Sequence, residues 1–173
     1  MERVHLWYTS CTRSVARDHI WDSAIDHPSP NAIVQVLVCR TQSTLFGFAL
    51  DDVVEIMRMQ ALDRSDTAPR HVLGVSRIRG RSVTVVSSAL LLGLAESSLH
   101  RVVSCKAGDE YVAIAVDEVR GVATVPGTSG DAGESLAQRA PGDAHGVALS
   151  RILARAIVMS DEMWLAATAR RSA

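Results

Sequence analysis

The feature that most constrains this chain is a series of short runs of β-branched and alternating apolar residues. The run from Ala32 to Val38 is apolar at all but one position, which is typical of a strand covered on both faces. In the next run Phe46 and Phe48 alternate with small residues, so both phenylalanines of the chain share one face of a second strand. Gly47 between them indicates a tight bend or a close backbone approach. These runs predict a mainly β fold.

The same pattern of short apolar runs recurs along most of the chain and predicts about ten strands. Besides the first two, the clearest strands cover residues 72–77, 82–86, 101–105, 111–116 and 119–124. A last hairpin is predicted from residues 153–159 and 163–166, with its turn at 160–162. The strands fall into two groups, separated near Gly93 to His100. Short strands with frequent turns are typical of barrels and sandwiches, and two small barrels packed into one domain would bury the aliphatic faces.

Two short segments have helical rather than extended signals. Asp52 followed by Glu55 resembles a capping box, which predicts a short helical turn over residues 51–55. Residues 87–92 predict another, and Gly93 stands where a left-handed C-cap belongs. The adjacent hydroxyls of Ser87 and Ser88 are best explained as a helix cap.

The predicted domain occupies residues 31–168, between an N-terminal extension and a short tail. The extension, residues 1–30, ends in Pro28-Ser29-Pro30, and the C-terminal tail covers residues 169–173. Residues 127–146 contain several glycines and predict a flexible loop. The extension weakly matches a helical stripe, either of a tail that docks or frays or of a partner-binding helix. The stripe consists of Ala16, Ile20, Trp21, Ala24 and Ile25.

Length and composition are those of one globular domain with its own core. The chain has 173 residues, of which 47% are hydrophobic and 21% charged. A domain of about 150 residues buries roughly 68–70% of its unfolded surface, so stability requires no disulfide or metal. The net charge of −1 argues against binding nucleic acid, which needs a basic stripe. Lys106 is the only lysine, and this arginine bias either reflects genome composition or serves bidentate recognition.

Neither the cysteines nor the N-terminus indicates an exported or membrane protein. Cys11, Cys39 and Cys105 are odd in number and far apart, without the spacing of a disulfide framework or a zinc site. Cys39 and Cys105 lie in apolar runs and are predicted to be buried, whereas Cys11 in the extension could be a free thiol. No apolar segment has the length of a signal peptide or a membrane span. We expect a cytoplasmic protein with no direct membrane insertion.

The chain contains no motif with the spacing of a catalytic or cofactor site. A phosphate-binding loop, a dinucleotide fingerprint, the two-histidine zinc motif and the serine-hydrolase elbow are all missing from the sequence. The six histidines are scattered, and Ser87 and Ser88 have no histidine or acid close in sequence. We therefore predict no catalytic residue, no metal site and no cofactor.

The most informative segment runs from Gly74 to Gly80 and holds two arginines. Arg77 and Arg79 are two residues apart in a predicted strand, so both would project from one face. Arg79 precedes Gly80 at the turn, where an arginine is placed to reach a partner's carboxylate or backbone carbonyls. Arg77, Arg79 and Gly80 are therefore the predicted partner-binding residues. The competing interpretation is an exposed arginine beside a turn, which is common in proteins.

The order of these pieces resembles the CheW-like domain family. The resemblance covers about Ala32 to Ala166, and its specificity comes from order and spacing rather than from any single motif. The segments that carry it are Phe46-Gly-Phe-Ala-Leu50, Asp52-Val-Val-Glu-Ile56, Val72-Leu-Gly-Val-Ser-Arg-Ile-Arg-Gly80, Val83-Thr-Val-Val86, Leu91-Leu-Gly93 and Val116-Asp-Glu-Val-Arg-Gly-Val122.

The resemblance implies a fold of two small five-stranded SH3-like β-barrels that share a core, with short helical turns. It also implies a non-catalytic scaffold that binds the regulatory domain of the histidine kinase CheA and the cytoplasmic tips of chemoreceptors. Other CheW-like domains are further partners, and recruitment to membrane-associated receptor arrays follows. In this comparison Arg79 is the arginine of the family's Asn-Leu-Arg-Gly motif, and an apolar groove between the barrels is the receptor site.

Several positions depart from the family's pattern. Arg77 replaces the usual Asn, and Thr84 stands where a Pro is usual. Ser87-Ser88-Ala89 replaces the family's Asp-Leu-Arg. A second hypothesis is therefore an accessory protein that has kept only one partner interface. A third, of another class, is a small enzyme or ligand-binding barrel, which would need convergent polar groups that the sequence does not display.

Overall fold

The structure, a computed structural model, describes residues 33–64, 66–126 and 144–169. The strands in these ranges are β1 (Ile33–Thr41), β2 (Thr44–Ala49), β3 (Val53–Arg58), β4 (Val72–Ile78), β5 (Arg81–Ser87), β6 (Arg101–Ala107), β7 (Glu110–Val116), β8 (Glu118–Pro126) and β9 (Ile157–Met159). The helices are α1 (Ser88–Leu91), α2 (Ala144–Ala154) and α3 (Asp161–Ala169), and a 3-10 turn covers Leu50–Asp52. The predicted mainly β fold is confirmed.

The strands form two sheets, and each sheet draws on both halves of the chain. The four-stranded sheet has the order β8-β1-β2-β9, and the five-stranded sheet has the order β3-β6-β7-β5-β4. All pairs are antiparallel except β5 with β7. The prediction of two groups separated near Gly93 to His100 is therefore wrong. Local patterns report where strands begin and end, whereas the pairing of β1 with β8 is a contact between distant parts of the chain.

The main core lies between the two sheets and α2. Phe46 and Phe48 share one face of β2, as predicted, and their rings meet edge to face with centroids 5.3 Å apart. Each buried side chain of this size contributes about 1.5–3 kcal/mol. The buried members of this shared core are Leu37, Cys39, Phe46, Phe48, Val86, Leu91, Val103, Cys105, Val112, Ile114, Val116, Leu149, Ile152, Leu153 and Ala156.

The two cysteines of the shared core are buried, as predicted. Burial raises the pKa of Cys39 to about 12 and also raises the pKa of Cys105. Because the thiolate is the reactive form, both thiols are inert at neutral pH and pack as small hydrophobes.

Two further clusters cover the other faces of the sheets. On the four-stranded sheet, Val36 and Val38 of β1 face the opposite way from Leu37 and pack with Met163 and Trp164 of α3. Gly47 of β2 makes the close approach that its position predicted, because a Cβ there would lie 2.8 Å from Val36 Cγ2. The five-stranded sheet has its own interior of buried residues, namely Ile78, Val83, Val85, Val102, Ala113 and Ala115.

The helical segment after β5 is confirmed, whereas the capping box is wrong. Ser87 Oγ accepts a hydrogen bond from Leu90 N at 3.3 Å, and Gly93 follows α1 with φ +74°. The 3-10 turn at Leu50–Asp52 has Ala49 as its N-cap, without a side-chain hydrogen bond. Asp52 instead accepts from Arg155, and Glu55 lies in β3 and accepts from Arg79. Each carboxylate has a distant arginine as its partner, which outcompetes a local cap.

The predicted C-terminal hairpin is also wrong. Only Ile157–Met159 is extended, and it lies between α2 and α3. The predicted turn at 160–162 begins a helix instead, because Ser160 Oγ accepts from Met163 N at 3.2 Å and two acidic residues occupy the first turn of α3. The end of the predicted loop, from Ala144, belongs to α2. Residues 127–143, the extension with its helical stripe, and the last four residues lie outside the described residues.

The two edges of the five-stranded sheet are linked by the chain that follows β3. Asp63 pairs with Val75 of edge strand β4, with N–H to carbonyl distances of 2.9 Å in both directions. At the other end of the sheet, Arg79 after β4 contacts Glu55 on edge strand β3. The Asp63 contact depends on Gly74, whose φ is +145° and whose Cβ position lies 2.6 Å from the Asp63 carbonyl oxygen. Only glycine fits this place.

We predict that Gly74→Ala lowers the free energy of unfolding by about 2 kcal/mol or more, since it adds backbone strain and a clash with Asp63. Urea denaturation measures the loss. Gly108→Ala is the matched control, because Gly108 also has a positive φ (+65°) but its Cβ would meet only Arg151 Nη1, at 3.9 Å. The control should lose about 1 kcal/mol. Equal losses in the two variants would show that the Asp63 contact does not constrain Gly74.

Candidate functional site

Arg79 and Gly80 form a two-residue turn between β4 and β5. Both have positive φ, +49° and +79°, and Ile78 pairs with Arg81 across the turn. Positive φ at both central positions is the pattern of a type I′ turn, which matches the twist of a hairpin. β4 ends at Ile78, so Arg79 is a turn residue. Contrary to the prediction from the sequence, it does not continue the face of the strand that carries Arg77.

Glu55 holds Arg79 from the opposite edge of the five-stranded sheet. Arg79 Nε donates to Glu55 Oε2 at 3.0 Å. The arginine side chain is 69% exposed, whereas the glutamate side chain is only 22% exposed. Among the described residues, no hydrogen bond or ion pair engages the two Nη groups of Arg79. The guanidinium is therefore oriented through Nε while its outer edge stays open to solvent and to a carboxylate or carbonyl of a partner.

The sequence analysis missed this role of Glu55. Glu55 lies directly opposite Ser104 of β6, and neither Glu55 Oε1 nor Ser104 Oγ has a hydrogen-bond partner in the described part of the chain, although both atoms are buried. The available signal was the spacing of Glu55 and Met57, which puts both on the face of β3 that packs toward the interior of the five-stranded sheet. A carboxylate on such a face needs a cationic partner.

Arg77 and Gly80 complete the predicted site. Arg77 is exposed on β4, and the described residues offer it no hydrogen bond or ion pair. A Cβ at Gly80 would meet nothing within 4 Å, so the turn projects into open space. Nearby, Tyr111 lies under Arg81 at 4.9 Å and near Lys106 at 5.8 Å, both measured to the ring centroid. Three arginines, Arg77, Arg79 and Arg81, thus lie within five residues at this turn, and among the described residues only Arg79 forms an ion pair, with Glu55.

The hydroxyls of α1 have structural partners. Ser88 Oγ lies 2.6 Å from the Ala115 carbonyl and 2.6 Å from Thr41 Oγ1. Because the carbonyl only accepts, Ser88 donates to it and Thr41 donates to Ser88. These two hydrogen bonds link the end of β1 to β7, and Ser87 caps α1. Both hydroxyls therefore have structural roles, Ser88 between strands and Ser87 as a helix cap.

The carboxylate of Asp52 links the turn after β2 to the end of α2. Arg155 Nη1 donates to Asp52 Oδ1 at 2.7 Å. Burial raises the pKa of Asp52, and the Arg155 charge lowers it by a smaller amount. The ion pair therefore orients α2, but the attraction to Arg155 does not fully offset the cost of removing the Asp52 carboxylate from water.

Two further properties bear on function. In the ranges that the structure describes, no three His, Cys, Asp or Glu side chains are grouped as a metal site requires. Over the same ranges, no helix has the length and apolar character that crossing a bilayer demands.

The family model of the CheW-like domain matches residues 35–154. This match covers more than half of the chain, and the chain belongs to the CheW-like domain family, a family of scaffold and adaptor proteins. The matched region begins in β1 and ends with α2, and it contains Glu55, Arg77, Arg79 and Gly80.

A solved structure similar to this chain is that of the scaffolding protein TtCheW from Thermoanaerobacter tengcongensis. The two share 17% sequence identity, with a TM-score of 0.49. The similar region covers 55% of this chain and 66% of that protein's chain. Among curated proteins, none matches this chain in sequence.

We predict that the stability of Asp52→Asn relative to the unaltered protein rises with pH over the range that begins at about pH 4, where an aspartate in the unfolded chain titrates. The folded-state pKa of Asp52 is raised, so the folded protein holds this proton more tightly than the unfolded chain does. Its contribution to stability is therefore lost as pH rises through that range, whereas asparagine loses nothing. Urea denaturation across the pH range measures the difference, with Asp109→Asn in the exposed β6–β7 turn as the control. A relative stability that falls with pH would contradict the assignment.

Proposed function

We propose that this protein is a signalling adaptor that couples chemoreceptors to a CheA-like histidine kinase and catalyses no reaction. The observation that carries the proposal is the presentation of Arg79 within the region that matches the CheW-like domain. The guanidinium is fixed through Nε by Glu55, and its outer edge is exposed in a tight turn. An arginine that is oriented through Nε and keeps its other donors exposed is suited to recognition of a partner's carboxylate or carbonyl groups.

The physical demands of such coupling are modest. A micromolar complex requires about 8 kcal/mol of binding free energy, and an interface of about 1,000–1,600 Å² supplies it. Avidity among many adaptors in an array strengthens the assembly further. Prior orientation of Arg79 reduces the entropy lost when the partner binds.

The proposed partners are the regulatory domain of the kinase, the cytoplasmic tips of the receptors, and other CheW-like domains. The proposed location is the cytoplasm, next to membrane-associated receptor arrays. Arg79 and Gly80 form the centre of the proposed contact, Arg77 lies at its rim, and Glu55 is the positioning residue of Arg79.

The second candidate function is an accessory protein that binds only one of the two partners. The departures from the family's pattern favour it. Ser88 and Ala89, which stand in place of Leu and Arg, are buried, and Ser88 Oγ bonds to Thr41 and Ala115, so this segment presents no charge to a partner. Arg77, in place of Asn, adds an exposed charge beside Arg79. Separate binding assays with kinase and receptor distinguish the two functions, because a coupler binds both.

We predict that Arg79→Glu weakens binding to the kinase regulatory domain or to receptor tips by about tenfold or more. The substitution removes the exposed donors of the guanidinium and places a second negative charge beside Glu55. Calorimetry with each purified partner measures the loss. Because the Glu55 side chain is only 22% exposed and loses its cationic partner, we expect the variant also to lose some stability. Circular dichroism checks that it is folded before its affinities are compared.

Arg120→Glu is the matched control for Arg79→Glu. It breaks another exposed arginine–glutamate pair, 3.3 Å long, on β8 of the four-stranded sheet. Normal affinity of the Arg79 variant for both partners, with the control also normal, would remove Arg79 from the binding site.

We predict a different signature for Arg77→Glu. Arg77 is exposed and unpaired among the described residues, so it acts on the approach of a charged partner rather than on the docked contact. Surface plasmon resonance should show a lower association rate that recovers in high salt, with a dissociation rate that changes little. A dissociation rate that rises as much as in Arg79→Glu would place Arg77 inside the docked interface instead.

A further inference from the structure

The end of the five-stranded sheet away from Arg79 holds an open cavity of about 340 Å³. Its apolar lining comes from Met59, Leu62, Leu73 and Leu99, which are partly buried and pack against the interior of this sheet. Pockets for small molecules start at about 300 Å³, are largely apolar, and contain a few polar groups that fix orientation. The cavity has the size of such a pocket, and it combines this apolar floor with a polar rim of Gln60, Arg64, Ser87, Glu96 and Ser97.

Two opposite charges flank this floor without pairing. Arg64 and Glu96 both line the cavity, and both are exposed. Within the described part of the chain, neither takes part in any ion pair or hydrogen bond. A cation and an anion around one apolar cavity, each without a partner, are complementary to a ligand that carries both charges and an apolar group.

The backbone around the cavity is held in place. Met59 N donates to the His100 carbonyl at 3.1 Å, and Asp63 pairs with Val75, so the wall that leads to Arg64 is fixed at both ends. In another part of the lining, Ser97, the neighbour of Glu96 in sequence, donates through Oγ to Asp117 Oδ1 at 2.8 Å. Each charged residue therefore adjoins an anchored residue, and binding needs little ordering of the backbone.

We propose that this cavity binds a free amino acid with an aliphatic side chain. The carboxylate of the ligand pairs with Arg64, the ammonium group pairs with Glu96, and the side chain lies on the apolar floor. Binding is reversible and involves no covalent step. The site is separate from the Arg79 turn, so the inference does not depend on the proposed coupling function.

The test is calorimetry on the full chain with L-leucine and two analogues. Leucinol lacks the carboxylate, and 4-methylpentanoate lacks the ammonium group. We expect leucine to bind with a dissociation constant on the order of 1 mM or below, and each analogue to bind about tenfold more weakly, because each loses one charged contact.

Variants assign each charge to its partner. In Arg64→Gln the difference in affinity between leucine and leucinol should disappear, and in Glu96→Gln the difference between leucine and 4-methylpentanoate should disappear. The controls are Arg70→Gln and Glu110→Gln, two exposed positions that do not line the cavity and should keep both differences. All four are exposed, so none should unfold the protein.

Three results would overturn the proposal. The first is an absence of heat with millimolar leucine. The second is equal affinity for leucine and both analogues, which would make the cavity a purely apolar pocket. The third is equal affinity for a leucine peptide with blocked termini, which would show that the cavity takes a side chain of a protein partner.

Discussion

Strand β1 is covered on both faces, and the arrangement of the two sheets depends on this. Leu37 and Cys39 point into the shared core, while Val36 and Val38 point toward α3. A shift of register by one residue would exchange these two sets and leave neither layer packed. The close approach of Gly47 to Val36 adds a steric lock, because any larger residue would separate β1 from β2. The register of β1 thereby fixes where the five-stranded sheet meets its neighbour.

Around this rigid centre, the polar groups of the five-stranded sheet are placed by its linked edges. Asp63 joins the chain after β3 to β4 at one end, and Arg79 joins the β4–β5 turn to β3 at the other. The linkage explains why a half-buried glutamate is tolerated. Glu55 gains a charged partner only because the far edge of the sheet returns to it, and the exposed guanidinium gains a defined orientation in exchange.

Features with local causes could be predicted from the sequence, and features that depend on distant pairing could not. The cap of α1 by Ser87, the left-handed Gly93 and the shared face of Phe46 and Phe48 follow from residues close in sequence. Glu55 was misread as part of a cap because its partner, Arg79, is reached only through the sheet. The C-terminal segment was misread because an acidic turn and a helix N-terminus use the same residues, Ser160 to Glu162. The sequence did not indicate that Arg64 and Glu96 share a cavity, because each lies in an irregular connection and only the fold brings the two connections together.

The position of β5 bears on whether the two ends of the sheet influence each other. Its seven residues run from Arg81, directly after the Arg79 turn, to Ser87, which lines the cavity. At about 3.3 Å per residue the strand separates the two sites by roughly 20 Å, so a small ligand in the cavity does not touch Arg79. Val83 and Val85 are buried and tightly packed between these ends. A packed strand transmits an effect only if it has two stable arrangements, and the hydrogen bonds of β5 to both β4 and β7 oppose a second one. The two ends of the sheet are therefore best treated as independent, so the proposed partner contact at Arg79 and the proposed ligand cavity are to be tested separately.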